Sequence, residues 1–235
     1  MLPTSLCRSD KEGVAMVETQ AQRERQKHSA GTEALAATGI AVTLDGTPII
    51  DGIDLSARVG EMTGVIGPSG TGKTTLLRAL AGMAPLASGS VRYFGSATAQ
   101  SGDIGMLAQH PRLVTNPRWT LRRIISEPAD IGGARCDVDG IAERVGLSGD
   151  LLYRYPAQVS DGQLQRACLG RLVVQRPRIV LCDEPISMLD PVAARAVIGL
   201  LQEFVDDGAA MVLVSHQRSL LESRCTEILD LGAAR

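Results

Sequence analysis

The residues with the most specific chemistry lie in GPSGTGKT, residues 67–74. This stretch fits G-x-x-x-x-G-K-[ST], in which glycines let several backbone N–H groups converge on one anion. The apolar segment EMTGVIG precedes it and the helical pattern TTLLRALAGM, to Met83, follows it, so the anion would lie at a helix N-terminus, where the helix dipole favours negative charge. Lys73 adds a full positive charge, and Thr74 adds a hydroxyl suited to Mg²⁺. The pattern predicts a nucleotide site rather than a plain glycine-rich turn.

Two acids end another apolar segment, RIVLCDEP, residues 178–185. In an open α/β sheet, ligands bind beyond the carboxyl ends of the strands, so Asp183 is expected beside the phosphate loop, holding Mg²⁺. Glu184 would orient a water molecule and accept its proton. His216 ends the apolar segment MVLVS at the same edge and is predicted to contact the γ-phosphate. The alternatives are a solvated acid pair and an exposed histidine.

Apolar segments that read as strands alternate with helical patterns, which predicts an α/β fold with a mainly parallel sheet. Two early strands, GIAVTL and PIIDGIDLSA, are separated by a turn at Asp45-Gly46. Between residues 111 and 175 only helical spacing is present, which predicts an inserted helical lobe. Residues 1–33 are polar and of mixed charge, and we expect a mobile tail there, with the folded domain at 34–235.

Composition excludes several classes of protein. The net charge of −2 and an aromatic content of 3% argue against a nucleic-acid binder. Five cysteines without Cys-x-x-Cys spacing predict reduced thiols rather than a disulfide framework or a zinc site. We expect no transmembrane segment, because no window approaches about 18 consecutive apolar residues, and no secretory signal is visible.

The stretch QVSDGQLQR, residues 158–166, begins another helical pattern. Ser160 and Gln163 have the Ser-x-x-Gln spacing of a capping box for a helix that starts at Asp161. Capping does not explain why a second small residue, Gly162, follows, and the residues alone leave its role open.

Six segments, in this order, resemble the ATP-binding cassette (ABC) ATPases. They are GPSGTGKTT (67–75), Gln109 in MLAQHP, VSDGQ (159–163), IVLCDE (179–184), SMLD (187–190) and His216. The similarity extends over about residues 38–235. LAQHPRLVTNPRWTLRRIISEP is further similar to the peptide and nickel importer branch. The resemblance implies a P-loop NTPase (RecA-like) fold, with a mainly parallel sheet core, an antiparallel β edge and an inserted α-helical subdomain at about 111–175.

The resemblance also implies a Mg-dependent ATPase that binds ATP and powers import of a small solute of the peptide, nickel or metal-chelate class. Its expected partners are transmembrane permease subunits, a second ABC ATPase subunit and an extracytoplasmic solute-binding protein, but no nucleic acid. The expected location is the cytoplasmic face of the inner membrane, as a peripheral protein. In this family two cassettes pack head to tail, so Ser160 and Gly162 would reach the γ-phosphate bound by the partner.

The candidate site residues fall into three groups. The catalytic candidates are Glu184, His216 and Gln109, and the metal candidates are Thr74, Gln109 and Asp183. The nucleotide-binding candidates are Gly67, Pro68, Ser69, Gly70, Thr71, Gly72, Lys73, Thr74, Thr75, Ser160, Gly162 and Gln163.

Three residues depart from the family pattern. Asp161 replaces the usual glycine after the serine, and its carboxylate is expected to turn toward solvent or a cation. Leu44 stands where an aromatic residue usually stacks on adenine, and Gln217 stands where an aspartate often follows the histidine. A C-terminal extension common in the branch is not expected here. Asp161 favours a heterodimer with unequal sites, and Asp161 and Leu44 leave open a partly degenerate regulatory cassette. A non-transport ABC ATPase and an exporter are further alternatives.

Overall fold

A computed structural model of the chain describes residues 31–232, so the tail predicted at 1–33 lies almost entirely outside the described residues. The strands and helices in chain order are β1 (Glu33–Leu44), β2 (Thr47–Arg58), β3 (Met62–Ile66), α1 (Lys73–Leu80), β4 (Ser88–Tyr93), β5 (Ile104–Leu107), α2 (Leu121–Ile131), α3 (Val138–Arg144), α4 (Asp161–Gln175), β6 (Ile179–Asp183), α5 (Pro191–Asp206), β7 (Ala210–Val214), α6 (Arg218–Arg224) and β8 (Glu227–Asp230).

A five-stranded parallel sheet forms the centre of the molecule, in the order β5-β6-β7-β3-β8. Every residue of β6 and β7 is buried, as expected for strands covered on both faces, and this explains their continuous apolar sequences. The predicted α/β fold with a mainly parallel core is therefore confirmed. Because the strands are parallel, the residues that follow β3, β5, β6 and β7 meet at one edge of the sheet.

A second sheet, of order β2-β1-β4, is antiparallel. Its β1–β2 hairpin turns at Asp45 and Gly46, with φ angles of 49° and 77°. Positive φ at both central residues is the mark of the tight hairpin turn that an Asp-Gly pair favours, so the predicted turn is confirmed. Leu76, Leu77 and Leu80 of α1 are fully buried in the core that this sheet shares with the parallel sheet.

Helix α1 ends earlier than the apolar pattern predicts, at Leu80 rather than Met83. Gly82 adopts a φ of 71°, its N–H bonds to the carbonyl of Ala79, and the N–H of Met83 bonds to the carbonyl of Arg78. This hydrogen-bond pair is the glycine-terminated helix end that satisfies the last carbonyls and stops the helix. The prediction of a helix to Met83 was wrong because the glycine inside the pattern ends it.

The segment between β5 and β6 contains helices α2, α3 and α4 and three 3₁₀ turns (Pro111–Leu113, Gly149–Tyr153 and Pro156–Gln158), with no strand in residues 111–175. Leu121 and Ile125 of α2 and Leu164 and Leu169 of α4 are fully buried in one cluster. The division into core and inserted subdomain stays a prediction. No helix in residues 31–232 has the length and apolar character needed to cross a membrane.

Close approach of β4 to β1 requires a glycine at position 89. Gly89 has a φ of 81°, and an added Cβ would lie 2.4 Å from the carbonyl oxygen of Gly39. We expect Gly89→Ala to lower the free energy of unfolding by about 2–4 kcal/mol, because left-handed strain and backbone overlap add. The matched control is Gly95→Ala, since Gly95 has a φ of 80° and nothing within 4 Å of the added Cβ; it should lower that free energy by about 1–2 kcal/mol. Urea unfolding measures both, and equal losses would contradict the close strand contact.

Candidate functional site

The phosphate loop connects β3 to α1, and its lysine side chain folds back over it. Lys73 is 7% exposed, and its Nζ donates to the carbonyl oxygens of Gly67 and Pro68, each at 2.8 Å. Both acceptors are neutral carbonyls, so neither of these contacts is with an acidic side chain that would compete with an anion held in the loop. Gly72 caps α1 with a φ of 93°, and a Cβ there would lie 2.9 Å from Ile49 Cγ2. The loop thus depends on glycine at this position for both conformation and space.

The remaining predicted loop residues lie between these anchors. Pro68, Ser69 and Gly70 are exposed, whereas Thr71 and Thr75 are partly buried. The Thr71 hydroxyl donates to the carbonyl of Pro68 at 2.9 Å, which closes the turn internally. The exposed backbone at 68–70 is therefore open to a ligand arriving from solvent.

Thr74 and Asp183 bring two oxygen atoms together beside the loop. The Thr74 hydroxyl donates to Asp183 Oδ2 at 2.6 Å, and Asp183, at the end of β6, is 3% exposed. Mg²⁺ prefers oxygen ligands and usually takes one or two from the protein and the rest from water and substrate phosphates. The pair fits that preference with one hydroxyl and one carboxylate oxygen. In residues 31–232 no three His, Cys, Asp or Glu residues cluster as a metal cage.

Glu184 lies where the ends of β5, β6 and β7 meet. Its Oε2 accepts a hydrogen bond from Gln109 Nε2 at 3.1 Å, and its Oε1 lies 2.6 Å from His216 Nε2. Gln109 follows β5 and His216 follows β7, so the three side chains come from three neighbouring strands. The predicted meeting of Glu184 and His216 at this sheet edge is what the structure shows, and Gln109, named only through the family resemblance, lies there too.

The backbone of Glu184 is held in an unusual conformation. Its φ is 46°, in the left-handed region that non-glycine residues rarely adopt, and its N–H bonds to the carbonyl of Val214 at 3.1 Å. Such strain costs of order 1–3 kcal/mol and persists where the surroundings over-determine it. The fixed backbone directs a carboxylate, 11% exposed, to a position from which it can accept a proton from a water molecule.

The serine loop, residues 158–163, lies at the start of α4. Ser160 Oγ accepts the Gln163 N–H at 3.2 Å, and Gln163 Oε1 accepts the Ser160 N–H at 2.9 Å. The predicted capping box is therefore confirmed. Both Ser160 and Gly162 line a cavity of about 450 Å³, and the phosphate loop contributes no lining residue to it. Within one chain, the two predicted halves of the nucleotide site therefore do not share this cavity.

The Asp161 carboxylate is paired with a cation, which is one of the two arrangements expected for it, the other being exposure to solvent. Arg112 Nε lies 2.5 Å from Asp161 Oδ1. Sequence reasoning did not identify Arg112, because the two residues are 49 positions apart and nothing local links them. The only sequence feature that could have indicated this pairing is that Arg112 lies three residues after Gln109.

Asp190 caps α5 and also lines the same cavity. Its Oδ1 accepts the N–H groups of Ala193 and Val192, both at 3.0 Å, which makes Asp190 the N-cap of α5. These backbone donors, that of Ala193 first, hold the pKa of the Asp190 carboxyl below its ordinary value. The group is therefore a fixed negative charge at physiological pH.

Two further predicted features are at the surface or in the core. Leu44 ends β1 and is 64% exposed, so a planar base could rest against it. The cysteines at 136, 168, 182 and 225 are free thiols. Burial raises the pKa of Cys168 to about 12 and that of Cys225 to about 11, so these thiols stay protonated and unreactive.

Comparison with known proteins gives one family and a consistent set of relatives. Residues 50–187 match the ABC transporter family. The chain is 32% identical over 197 residues to the oligopeptide transport ATP-binding protein OppF of Escherichia coli, covering 77% of this chain and 59% of that protein. It is 32% identical over 205 residues to the methionine import ATP-binding protein MetN of Caulobacter vibrioides, covering 81% and 61%. The chain thus spans about three fifths of the length of these relatives.

Solved structures share the fold at lower identity. An ATP-binding subunit of an ABC transporter superimposes with a TM-score of 0.76 at 21% identity, over 86% of this chain and 87% of that one. A dimeric post-hydrolysis state of an ATP-binding cassette with ADP and Pi gives a TM-score of 0.74 at 21% identity, over 84% and 94%. These similarities establish the P-loop NTPase fold class that the sequence predicted.

Proposed function

Because the chain belongs to the ABC transporter family, we propose that it is the ATP-hydrolysing subunit of an ABC importer. The observation that carries the proposal is that three features lie at one edge of the sheet. They are the phosphate loop with Lys73, the hydrogen-bonded oxygens of Thr74 and Asp183, and Glu184 with its left-handed backbone. Lys73 supplies charge for the phosphates, Thr74 and Asp183 would hold Mg²⁺, and Glu184 supplies the base. No single one of these features would support hydrolysis alone.

In the proposed reaction, a water molecule attacks the γ-phosphorus of ATP, and the bond from that phosphorus to the bridging oxygen of ADP breaks. Glu184 accepts the proton that the water loses, and His216 and Gln109 hold the carboxylate in line. Lys73 stabilises the charge that develops on the phosphate oxygens. Mg²⁺, when bound, would neutralise part of the triphosphate charge; Thr74 and Asp183 would hold it, and Gln109 is the third predicted ligand.

A second cassette is proposed to complete the site. Ser160 and Gly162 line a cavity to which the phosphate loop contributes no residue, which favours contact with a nucleotide held by another chain. The N-terminus of the 15-residue helix α4 directs its dipole out of that surface, which suits a phosphate on another chain. The dimeric neighbour with ADP and Pi supports this arrangement. Asp161 favours a heterodimer with two unequal sites.

Import through a separate permease is proposed from the relatives. OppF is named for oligopeptide transport and MetN for methionine import. The candidate transported solutes are therefore peptides and amino acids, in addition to nickel and metal chelates. Residues 111–121 would dock the permease, and Leu113 is 79% exposed there. A solute-binding protein and a position at the cytoplasmic face of the membrane complete the proposal. Residues 34–235 would form one ATPase domain, with the helical subdomain inserted at about 111–175 between β5 and β6.

A regulatory, mainly nucleotide-binding cassette is the second candidate. Two observations favour it: a carboxylate at Asp161 beside the serine, and an aliphatic side chain at Leu44 for adenine contact. ATP hydrolysis separates the two proposals. The chain, alone and with the second cassette of its transporter, should hydrolyse Mg-ATP, and permease in proteoliposomes should then accumulate solute. Binding of ATP without hydrolysis under every one of these conditions would favour the regulatory cassette.

An aromatic residue at position 44 should tighten nucleotide binding. A base stacked on an aromatic ring gains about 1–3 kcal/mol, so we expect Leu44→Tyr to lower the Kd for ATP about tenfold. The matched control is Ile131→Tyr, which places the same ring on another exposed position, 78% exposed, and should leave the Kd unchanged. Titration calorimetry gives both values. An equal Kd in all three proteins would show that the base does not lie against β1.

A further inference from the structure

Arg112 joins the segment after Gln109 to the serine loop through three contacts. Its Nε pairs with Asp161 Oδ1 at 2.5 Å, its Nη1 donates to the carbonyl of Pro156 at 2.5 Å, and its Nη2 donates to the carbonyl of Val159 at 2.7 Å. The guanidinium therefore uses three nitrogen atoms on one short stretch of chain. A planar group with three fixed acceptors has little freedom left, unlike a surface ion pair formed by two mobile side chains.

The surroundings hold this contact on a rigid base. Gln165, one turn along α4 from Asp161, is 3% exposed, and its Nε2 donates to the carbonyl of Ala108 at 3.2 Å. On the other side of the loop, Arg166 donates to the carbonyls of Gly162 and Gly146. Hydrogen bonds from Gln165 and Arg166 therefore hold the region of the serine loop as well. Arg112 differs from them in that it also forms an ion pair with Asp161.

The charge of the cavity depends on Arg112. Among its lining residues, Arg112 and Arg166 are cations and Asp161 and Asp190 are anions, so the lining is neutral as it stands. Without Arg112 the lining would carry one net negative charge, at the surface that meets a triphosphate in the proposed dimer. Without both Arg112 and Asp161 it would be neutral again. Removing the two groups together should therefore do less harm than removing the arginine alone.

We propose that Arg112 is a positioning residue that neutralises Asp161 and holds the serine loop in the shape that receives the triphosphate of a partner cassette. This inference rests on the proposed function. It explains how a chain with a carboxylate next to Ser160 keeps a working serine loop. Arg112 acts through Asp161 and the loop backbone and makes no contact with the reacting atoms.

The test is a double-mutant cycle with dimerisation as the readout. In the Glu184→Gln background, the chain and its partner cassette are titrated with Mg-ATP. Sedimentation gives the Mg-ATP concentration at which dimer formation is half-maximal. Arg112→Ala should raise that concentration about tenfold or more, because an unpaired carboxylate then faces the triphosphate. Asp161→Asn should stay within about threefold of the unsubstituted chain, and so should the double variant Arg112→Ala/Asp161→Asn. Arg58→Ala, at an exposed arginine of β2, is the control and should change nothing.

Salt dependence separates charge from shape. The deficit of Arg112→Ala should shrink as salt rises from about 0.1 M to about 1 M, because mobile ions screen exposed charges. A double variant as impaired as Arg112→Ala, with no salt effect, would reduce Arg112 to a structural anchor and overturn the inference. Unimpaired dimerisation in Arg112→Ala would overturn it too. If the unsubstituted chain itself forms no Mg-ATP-dependent dimer, the proposed function fails and the inference fails with it.

Discussion

Glu184→Gln should leave Mg-ATP binding intact and lower the rate of hydrolysis by about 10²- to 10⁴-fold, the usual contribution of a positioned base. Glutamine matches glutamate in shape and keeps an oxygen that can accept from Gln109, but its amide cannot take a proton from water. The backbone strain at position 184 is unaffected because both residues carry a Cβ. The Kd for ATP and single-turnover hydrolysis, measured on the same preparation, separate binding from chemistry.

Glu222→Gln is the matched control for this experiment. Glu222 is exposed on α6, six residues after His216, and lies 3.8 Å from Arg218 in an i,i+4 pair. The same chemical change there should leave hydrolysis within about twofold, since exposed ion pairs contribute little. Normal turnover in Glu184→Gln would remove Glu184 from the role of base, and loss of turnover in both variants would point to a general effect on folding.

Lys73→Met should weaken ATP binding by about 10- to 150-fold, which corresponds to the loss of about 1.5–3 kcal/mol from a hydrogen bond to a charged group. Methionine fills a similar volume in this buried position but supplies no charge to the phosphates. The substitution also leaves the carbonyl of Gly67 without the lysine donor and that of Pro68 with Thr71 alone, so the loop itself will be less well ordered. Fluorescence titration with a labelled ATP analogue measures the change in Kd.

Arg78→Met provides the comparison for the lysine variant. Arg78 lies in the last turn of the same helix, is exposed, and loses the same formal charge on substitution. Its Kd for ATP should stay close to that of the unsubstituted chain, because the distance and the solvent between Arg78 and the loop screen its charge. Equal weakening by both substitutions would mean that net charge, and not the position of Lys73, governs binding. Unfolding midpoints of both variants confirm that each is folded.

Local chemistry made much of the site predictable from sequence. The glycine spacing around Lys73, the capping pair at Ser160 and Gln163 and the cap at Asp190 each involve residues within a few positions of one another. Such patterns carry their own geometry, since a side chain can reach only nearby backbone groups. The hairpin turn at Asp45 was predictable for the same reason.

Features that depend on distant parts of the chain were not predictable. The alternation of strands and helices indicates a parallel sheet, but not the order β5-β6-β7, and it is this order that brings Gln109, Glu184 and His216 together. Without the family resemblance, nothing in the residues around Gln109 identifies it. The pairing of Arg112 with Asp161 across 49 positions depends on how α4 packs beside the segment after β5. The left-handed backbone of Glu184 likewise arises from its bond to Val214 on another strand.

The central claim is that one nucleotide is bound by the phosphate loop of one cassette and closed by the serine loop of another. The most direct measurement is sedimentation of the Glu184→Gln chain mixed with the proposed second cassette. A dimer is expected with Mg-ATP and not with Mg-ADP, because only the triphosphate carries the γ-phosphate that Ser160 would reach. A monomer at saturating Mg-ATP, with both cassettes present, would contradict the account.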